Sequence, residues 1–169
     1  MPRISKTFDL DAVEWRHMAD PKETEFLIDF EYSLLGYDIP SGRLDMLLRF
    51  KGNGGHCRRH RHIAATVTMV LEGEQHVTEH DTDGTVTKSA VRKKGEYALA
   101  EADADSHMER GGPDGGTVLL SMSAPDGRLF EYFDCDGNSI KVLTITEYVK
   151  SWNRGLVPGE VDGPKASAA

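Results

Sequence analysis

Six of the seven histidines in this 169-residue chain fall between His56 and His107. His60 and His62 stand at i, i+2 in Arg59-His60-Arg61-His62, just before a strand-like run. In an extended segment, positions i and i+2 point to one face about 7 Å apart, so both imidazoles can converge on one ion. His107 follows another strand-like run and a polar loop. It becomes a natural third ligand if the sheet folds back over the first hairpin. Imidazole suits Fe, Zn, Ni and Cu. Two histidines on a strand are equally found exposed or capped, so the spacing alone leaves both readings open. His76 and His80 lie at i, i+4 in a strand-like run and share a face with Thr78. They read as exposed hairpin histidines or as alternative metal ligands in place of His107. His56 sits in a glycine-rich loop as a rim residue, and His17 has no assigned role. Cys57 reads as a buried structural cysteine or as a thiol near the site.

The elements that must position these residues are strands. From residue 25 onward, short apolar runs alternate with turn signals every 8–12 residues or so, the pattern of a sandwich or barrel. The runs cover 26–35, 43–50, 66–71, 74–78, 86–91, 97–100, 118–122, 128–133 and 141–145. Glu72-Gly73 and the glycine-rich stretch 111–116 read as breaks between runs. Asp83-Gly84, Asp126-Gly127 and Asp136-Gly137 read as hairpin turns. Asp9 or Asp11 could cap a short helix through Trp15, or the segment is an extended arm. A short helix is expected over 146–152, and a disordered tail from Pro158. The expectation is one all-β domain, a double-sheet jelly roll with short N- and C-terminal additions. Its parts are an arm over 1–24, a barrel over 25–146, and a helix and tail over 147–169.

Composition mainly excludes. Twenty Lys and Arg face 28 Asp and Glu, for a net charge of −8. That balance disfavours nucleic-acid binding and anionic membranes, which need a positive surface. No apolar run approaches the ~20 residues of a membrane-spanning helix. The N-terminus lacks the apolar core of a signal peptide. Two distant cysteines give no disulfide framework, so a reducing, cytoplasmic setting is the default.

Flanking residues add a resemblance. Gly54 stands six residues before His60, and Gly73 ends the following strand. This resembles the first motif of the cupin family, G-x5-H-x-H-x3,4-E-x6-G, with Thr66 or Val67 where the glutamate belongs. The second motif, G-x5-P-x-G-x2-H-x3-N, is degraded. Gly95 opens it, Glu101 and Asp103 replace its proline and glycine, His107 falls one residue late, and Gly111 takes the asparagine position. The resemblance covers about residues 40–125 and implies the double-stranded β-helix. It implies His60, His62 and His107 as metal ligands.

The absent motif glutamate points to a smaller cupin group with three-histidine sites, which cleaves carbon–carbon bonds with iron and dioxygen. The acetylacetone-cleaving and 2,4′-dihydroxyacetophenone dioxygenases belong to it. Glu101, six residues before His107, and the segment Phe133-Asp134-Cys135-Asp136-Gly137-Asn138 resemble features of that group. The resemblance implies Fe(II), with Zn, Ni and Mn as alternatives. It gives Glu101 either a hydrogen bond to a ligand histidine or a solvated place on an edge strand. Thr66, Thr68, Thr78 and Tyr97 become candidate substrate-pocket residues. Three neutral ligands would leave a divalent ion its full charge and favour a chelating, anionic substrate such as an enolate. The implied partners are a small-molecule substrate, dioxygen, and further copies of the chain as a homodimer or homotetramer. A metal-dependent lyase or isomerase and a non-catalytic metal or ligand sensor are the competing functions.

Overall fold

The computed structural model describes residues 8–23, 27–81 and 83–155. Ten strands and one helix follow in chain order among them. They are β1 (Arg16–Ala19), β2 (Asp29–Asp38), β3 (Arg43–Phe50), β4 (His60–His62), β5 (Ala65–His80), β6 (Val86–Lys93), β7 (Tyr97–Ala100), β8 (Ser106–Ser123), β9 (Arg128–Phe133), β10 (Ser139–Thr144) and α1 (Ile145–Asn153). The all-β expectation holds. The turns at Gly84, Gly127 and Gly137 all take positive φ, as hairpin glycines do.

β5 and β8 are the long members, and each serves two sheets. The first part of β5 and the second part of β8 join β7, β3, β2 and β1 in the order β7-β5-β8-β3-β2-β1. Their other parts join β6, β4, β9 and β10 in the order β6-β5-β8-β4-β9-β10. The two runs expected at 66–71 and 74–78 are therefore one strand, and the glycine stretch 111–116 lies inside a strand. Glycine marks a corner here instead of a break. Gly73 pairs with Gly116, whereas Gln75 pairs with Gly111. Two steps along β5 thus match five along β8, a bulge that turns the ladder. A Cβ on Gly116 would lie 2.0 Å from the Glu74 carbonyl oxygen, and one on Gly73 2.3 Å from that of Gly115. Only residues without a side chain let the backbones approach this closely.

The core lies between the sheets. Leu44, Met46, Leu48 and Phe50 alternate along β3 and meet Val118, Leu120 and Met122 from β8 and Leu129 and Phe130 from β9. Residues 8–15 form turns, with Asp9 accepting from the Asp11 N–H at 2.9 Å, in place of the helix considered for them. The arm continues as β1, which pairs with β2 of its own chain. Arg16 then ties the arm to the C-terminal helix, donating to the Trp152 carbonyl at 2.6 Å and stacking 3.7 Å over its ring. Helix α1 starts at a capping box between Thr144 and Glu147 and buries Ile145, Tyr148 and Val149. The tail expected from Pro158 lies outside the described residues. Among the described residues no helix is long and apolar enough to cross a membrane.

Gly116→Ala should cost more than about 2 kcal/mol, because a backbone contact must give way. Thr144→Ala should cost about 1 kcal/mol, the usual value of an N-cap. Urea denaturation midpoints of the two variants give the comparison, and the glycine variant should unfold first.

Candidate metal centre

The short strand β4 carries His60 and His62 beside β8, with His60 directly opposite His107. Cross-strand partners share a face, so all three rings point into the space between the sheets. His60, His62 and His107 are 4%, 3% and 8% exposed. Strand alternation adds a fourth group: Glu109, two residues beyond His107, is 2% exposed on the same face. One ligand atom from each of these four residues lies within 4.8 Å of the others.

The donors fit a metal ion. His60 Nε2 is 3.1 Å from His62 Nε2, and His107 Nε2 is 3.2 Å from Glu109 Oε1. Two atoms each about 2.1 Å from one ion, at right angles, lie about 3.0 Å apart. His60 Nδ1 donates to the Arg58 carbonyl at 2.8 Å, and His107 Nδ1 to the Asp105 carbonyl at 3.2 Å. These bonds orient both rings and turn Nε2 toward the cluster. The second carboxylate oxygen of Glu109 is buried without a hydrogen-bond partner among the described residues. A buried carboxylate oxygen is costly unless a cation or donor meets it, and an ion among the four groups would do so.

The cluster's electrostatics follow from burial and pairing. Burial pushes His60 down to about 4, and the charge of His107 adds to this. His62 lies well below the ordinary histidine value, from burial first and then from His107 and His60. Burial also pulls on His107, but the hydrogen bond and charge of Glu109 outweigh it and hold that ring above its ordinary value. Burial pushes the Glu109 carboxyl up, yet the bond to His107 and the charges around it hold it at about 2. His60 and His62 are thus neutral donors at physiological pH, and Glu109 is a carboxylate.

Two spaces flank the cluster. An apolar cavity of about 50 Å³ lies between the sheets, lined by Phe30, Tyr32, Leu48, Phe130 and Tyr132 and reaching His60. On the other side a polar cleft of about 330 Å³ has His62, His107 and Glu109 in its wall, with Thr68, Glu79, Lys88, Arg92 and Asp105. A cleft of this size holds a small molecule.

The remaining candidates separate by face. Thr68 is buried and lines the cleft, and Thr66 is buried with its hydroxyl on the Ala64 carbonyl at 2.9 Å. Tyr97 is 57% exposed opposite Met69, which puts it on the outer face of its sheet. On β5, Gln75, Val77 and Glu79 face the cluster, so Thr78, His76 and His80 face away, with Thr78 paired to Met108. His76 instead pairs with Glu74 at 2.9 Å. Glu101 is exposed just beyond β7. The carboxylate beside the candidate ligand His107 is Glu109 and not Glu101, so the cluster expected to consist of three histidines alone carries a carboxylate as well. The signal was present as His107-Met108-Glu109, the same i, i+2 spacing as His60-Arg61-His62, but it lay in a stretch read as leading into a break. Arg59 and Arg61 point away from the cluster: Arg59 donates to the Asp81 carbonyl at 2.6 Å, and Arg61 to Glu131 at 2.6 Å. Cys57 is buried, and its sulfur accepts from the Glu109 N–H at 3.1 Å.

No family model and no curated protein matches the chain. Solved structures do resemble it. An acetylacetone dioxygenase from Acinetobacter johnsonii superposes with a TM-score of 0.65 at 13% identity, over 91% of this chain and 93% of that one. A protein provisionally assigned as an acetylacetone dioxygenase from Methylibium petroleiphilum gives 0.63 at 16% identity, over 90% and 97%. An RmlC-like cupin from Ralstonia eutropha gives 0.59 at 17% identity, over 95% of both chains. The fold is the cupin double-stranded β-helix.

His62→Ala and Glu109→Gln should each weaken binding of a divalent metal by at least about tenfold, while Glu101→Gln leaves it unchanged. Metal content after dialysis against a graded chelator series measures this. Full metal affinity in Glu109→Gln would reduce the donor set to the three histidines.

Proposed function

We propose that the protein is a metal-dependent dioxygenase that takes Fe(II) at His60, His62, His107 and Glu109. Its substrate on this reading is a small enolisable dicarbonyl or hydroxyketone, of which one carbon–carbon bond is cleaved. The observation that carries the proposal is the buried four-donor cluster with a small-molecule cleft on one side. The likeness to acetylacetone dioxygenases supports the choice of reaction. Zn, Ni and Mn remain the other candidate ions.

A bound ion of this kind offers positions to a chelating substrate and to dioxygen. The chain's own residues do the rest. His62, His107 and Glu109 lie at the cleft wall, so a substrate there meets the cluster from one side only. Phe130 packs edge-on against His62 at 5.1 Å and against His60 at 5.6 Å, which closes the inner side with apolar surface. Water is thereby kept from that flank. For a β-dicarbonyl, both atoms of O2 end in the products, a carboxylic acid and a 1,2-dicarbonyl. With Glu109 bound, a divalent centre carries one net positive charge, which still favours an anionic enolate.

One observation favours a second reading. Glu109 is buried with one carboxylate oxygen unpartnered among the described residues, so with the three histidines alone holding the ion it would suit a general base in a metal-dependent lyase or isomerase. Both readings place a small molecule in the cleft and need neither nucleic acid nor membrane. Assembly as a homodimer or homotetramer and a cytoplasmic setting belong to the same proposal.

Protein loaded anaerobically with Fe(II) should consume about one O2 per substrate when offered a panel of diketones and hydroxyketones, and His60→Ala should abolish uptake. Oxygen-electrode traces with product analysis decide it. Tightly held stoichiometric zinc, with no turnover after iron loading, would overturn the dioxygenase reading. Equal turnover without oxygen would favour the lyase or isomerase.

A further inference from the structure

The polar cleft is marked by one arginine. Strand β6 lies at the edge of its sheet, and its register is fixed by β5. Arg92 is opposite Gln75, which is opposite Gly111. Lys88 is opposite Glu79, which is opposite His107. Both cations therefore sit on the face that carries the cluster, and both line the cleft. They differ in their partners. Lys88 Nζ is 3.1 Å from Glu79, so its charge is answered locally. Arg92 is only part-exposed and donates to the Gln75 amide oxygen at 3.0 Å. It forms no ion pair among the described residues. Gln75 is fully buried, so it fixes one edge of the guanidinium. Asp105 is the remaining acidic group at the rim and is exposed.

An arginine has five donors in a planar fork that matches a carboxylate in bidentate fashion. Here one donor is used by a neutral amide. The cleft wall thus holds a pre-oriented cation with open donors, two strands from His107 and Glu109. That separation is about 10 Å between backbones at the usual strand spacing, and the arginine side chain reaches across part of it.

We propose that the substrate of this cleft carries a carboxylate that Arg92 binds, while its oxygen-bearing end faces the His60–His62–His107–Glu109 cluster. This rests on the reading of the cluster as a metal centre that binds substrate. It narrows the substrate class from neutral dicarbonyls to short oxo-acids.

The test uses full-length protein loaded with zinc, so that binding is read without turnover. The probes are 4,6-dioxoheptanoate, its methyl ester and acetylacetone, which share the chelating diketone and differ in the distal charge. Calorimetry should give the acid at least tenfold tighter binding than the ester. Arg92→Gln should remove that preference, weakening the acid at least tenfold and leaving the ester and the metal content unchanged. Arg92→Lys should keep part of the preference. Equal binding of acid and ester by the native chain would overturn the proposal. So would an acid preference that survives Arg92→Gln, because the carboxylate would then be read by the ion itself. Equal weakening of all three probes in Arg92→Gln, with a lower melting temperature, would make Arg92 a support for Gln75 and overturn it too. Arg92-dependent acid binding without any oxygen uptake by the iron form would sink the dioxygenase reading and leave this one standing. Oxygen uptake with acetylacetone, equal in native and Arg92→Gln protein and without an acid preference, would do the reverse.

Discussion

The fold depends on a corner where two backbones touch. β5 and β8 pass from one sheet to the other at Gly73 and Gly116, whose Cα atoms carry nothing that could keep the strands apart. A strand that ended there would leave its ladder unpaired at a sheet boundary. Because the strands continue, the register beyond the corner is set by the register before it. That register puts Val77 opposite Glu109 and Glu79 opposite His107, and it puts Arg92 and Lys88 on the face of the cluster. A one-residue slip would turn every one of these groups to the opposite face. The site's geometry is thus a consequence of a glycine contact that lies outside it.

Much of the fold was legible because strand alternation and turn chemistry are local. Asp83-Gly84 and Asp136-Gly137 announce hairpins by residue type, and the short helix expected over 146–152 is α1. The corner was not legible, because a glycine that breaks a strand and one that bends it look alike until the partner strand is known. The same blind spot hid Glu109. The i, i+2 logic that pairs His60 with His62 applies equally to His107 and Glu109, but only once residues 106–111 are known to be extended. The resemblance singles out Glu101, six residues before His107 in sequence. In space that distance crosses the turn after β7, which leaves Glu101 in solvent.

Glu109 also changes the electrostatic argument. A centre with three neutral imidazoles and one carboxylate would carry a single positive charge when it holds a divalent ion. The pull toward an anionic substrate then comes less from the ion alone. In the proposal made above, Arg92 would restore it at a distance, from the cleft wall instead of from the ion's own ligands. The chain as a whole is acidic, so long-range attraction does not gather anions toward it. Selection must act inside the cleft, where screening by salt is weaker than at an open surface.

The two spaces around the cluster divide the work in a way the charges explain. The inner cavity is bounded by aromatic and aliphatic groups and reaches His60, whose ring burial has already made a neutral donor. The outer cleft holds the groups that carry charge: Glu109, Glu79, Lys88, Arg92 and Asp105. A charged molecule entering from the cleft keeps partners for its polar atoms throughout, whereas passing to the inner side would strip them at a cost of several kcal/mol. The cluster therefore stands at a dielectric boundary. On the proposed reading, a substrate with one anionic end would be held with that end outward, and the same constraint would bring its reacting end against the histidines.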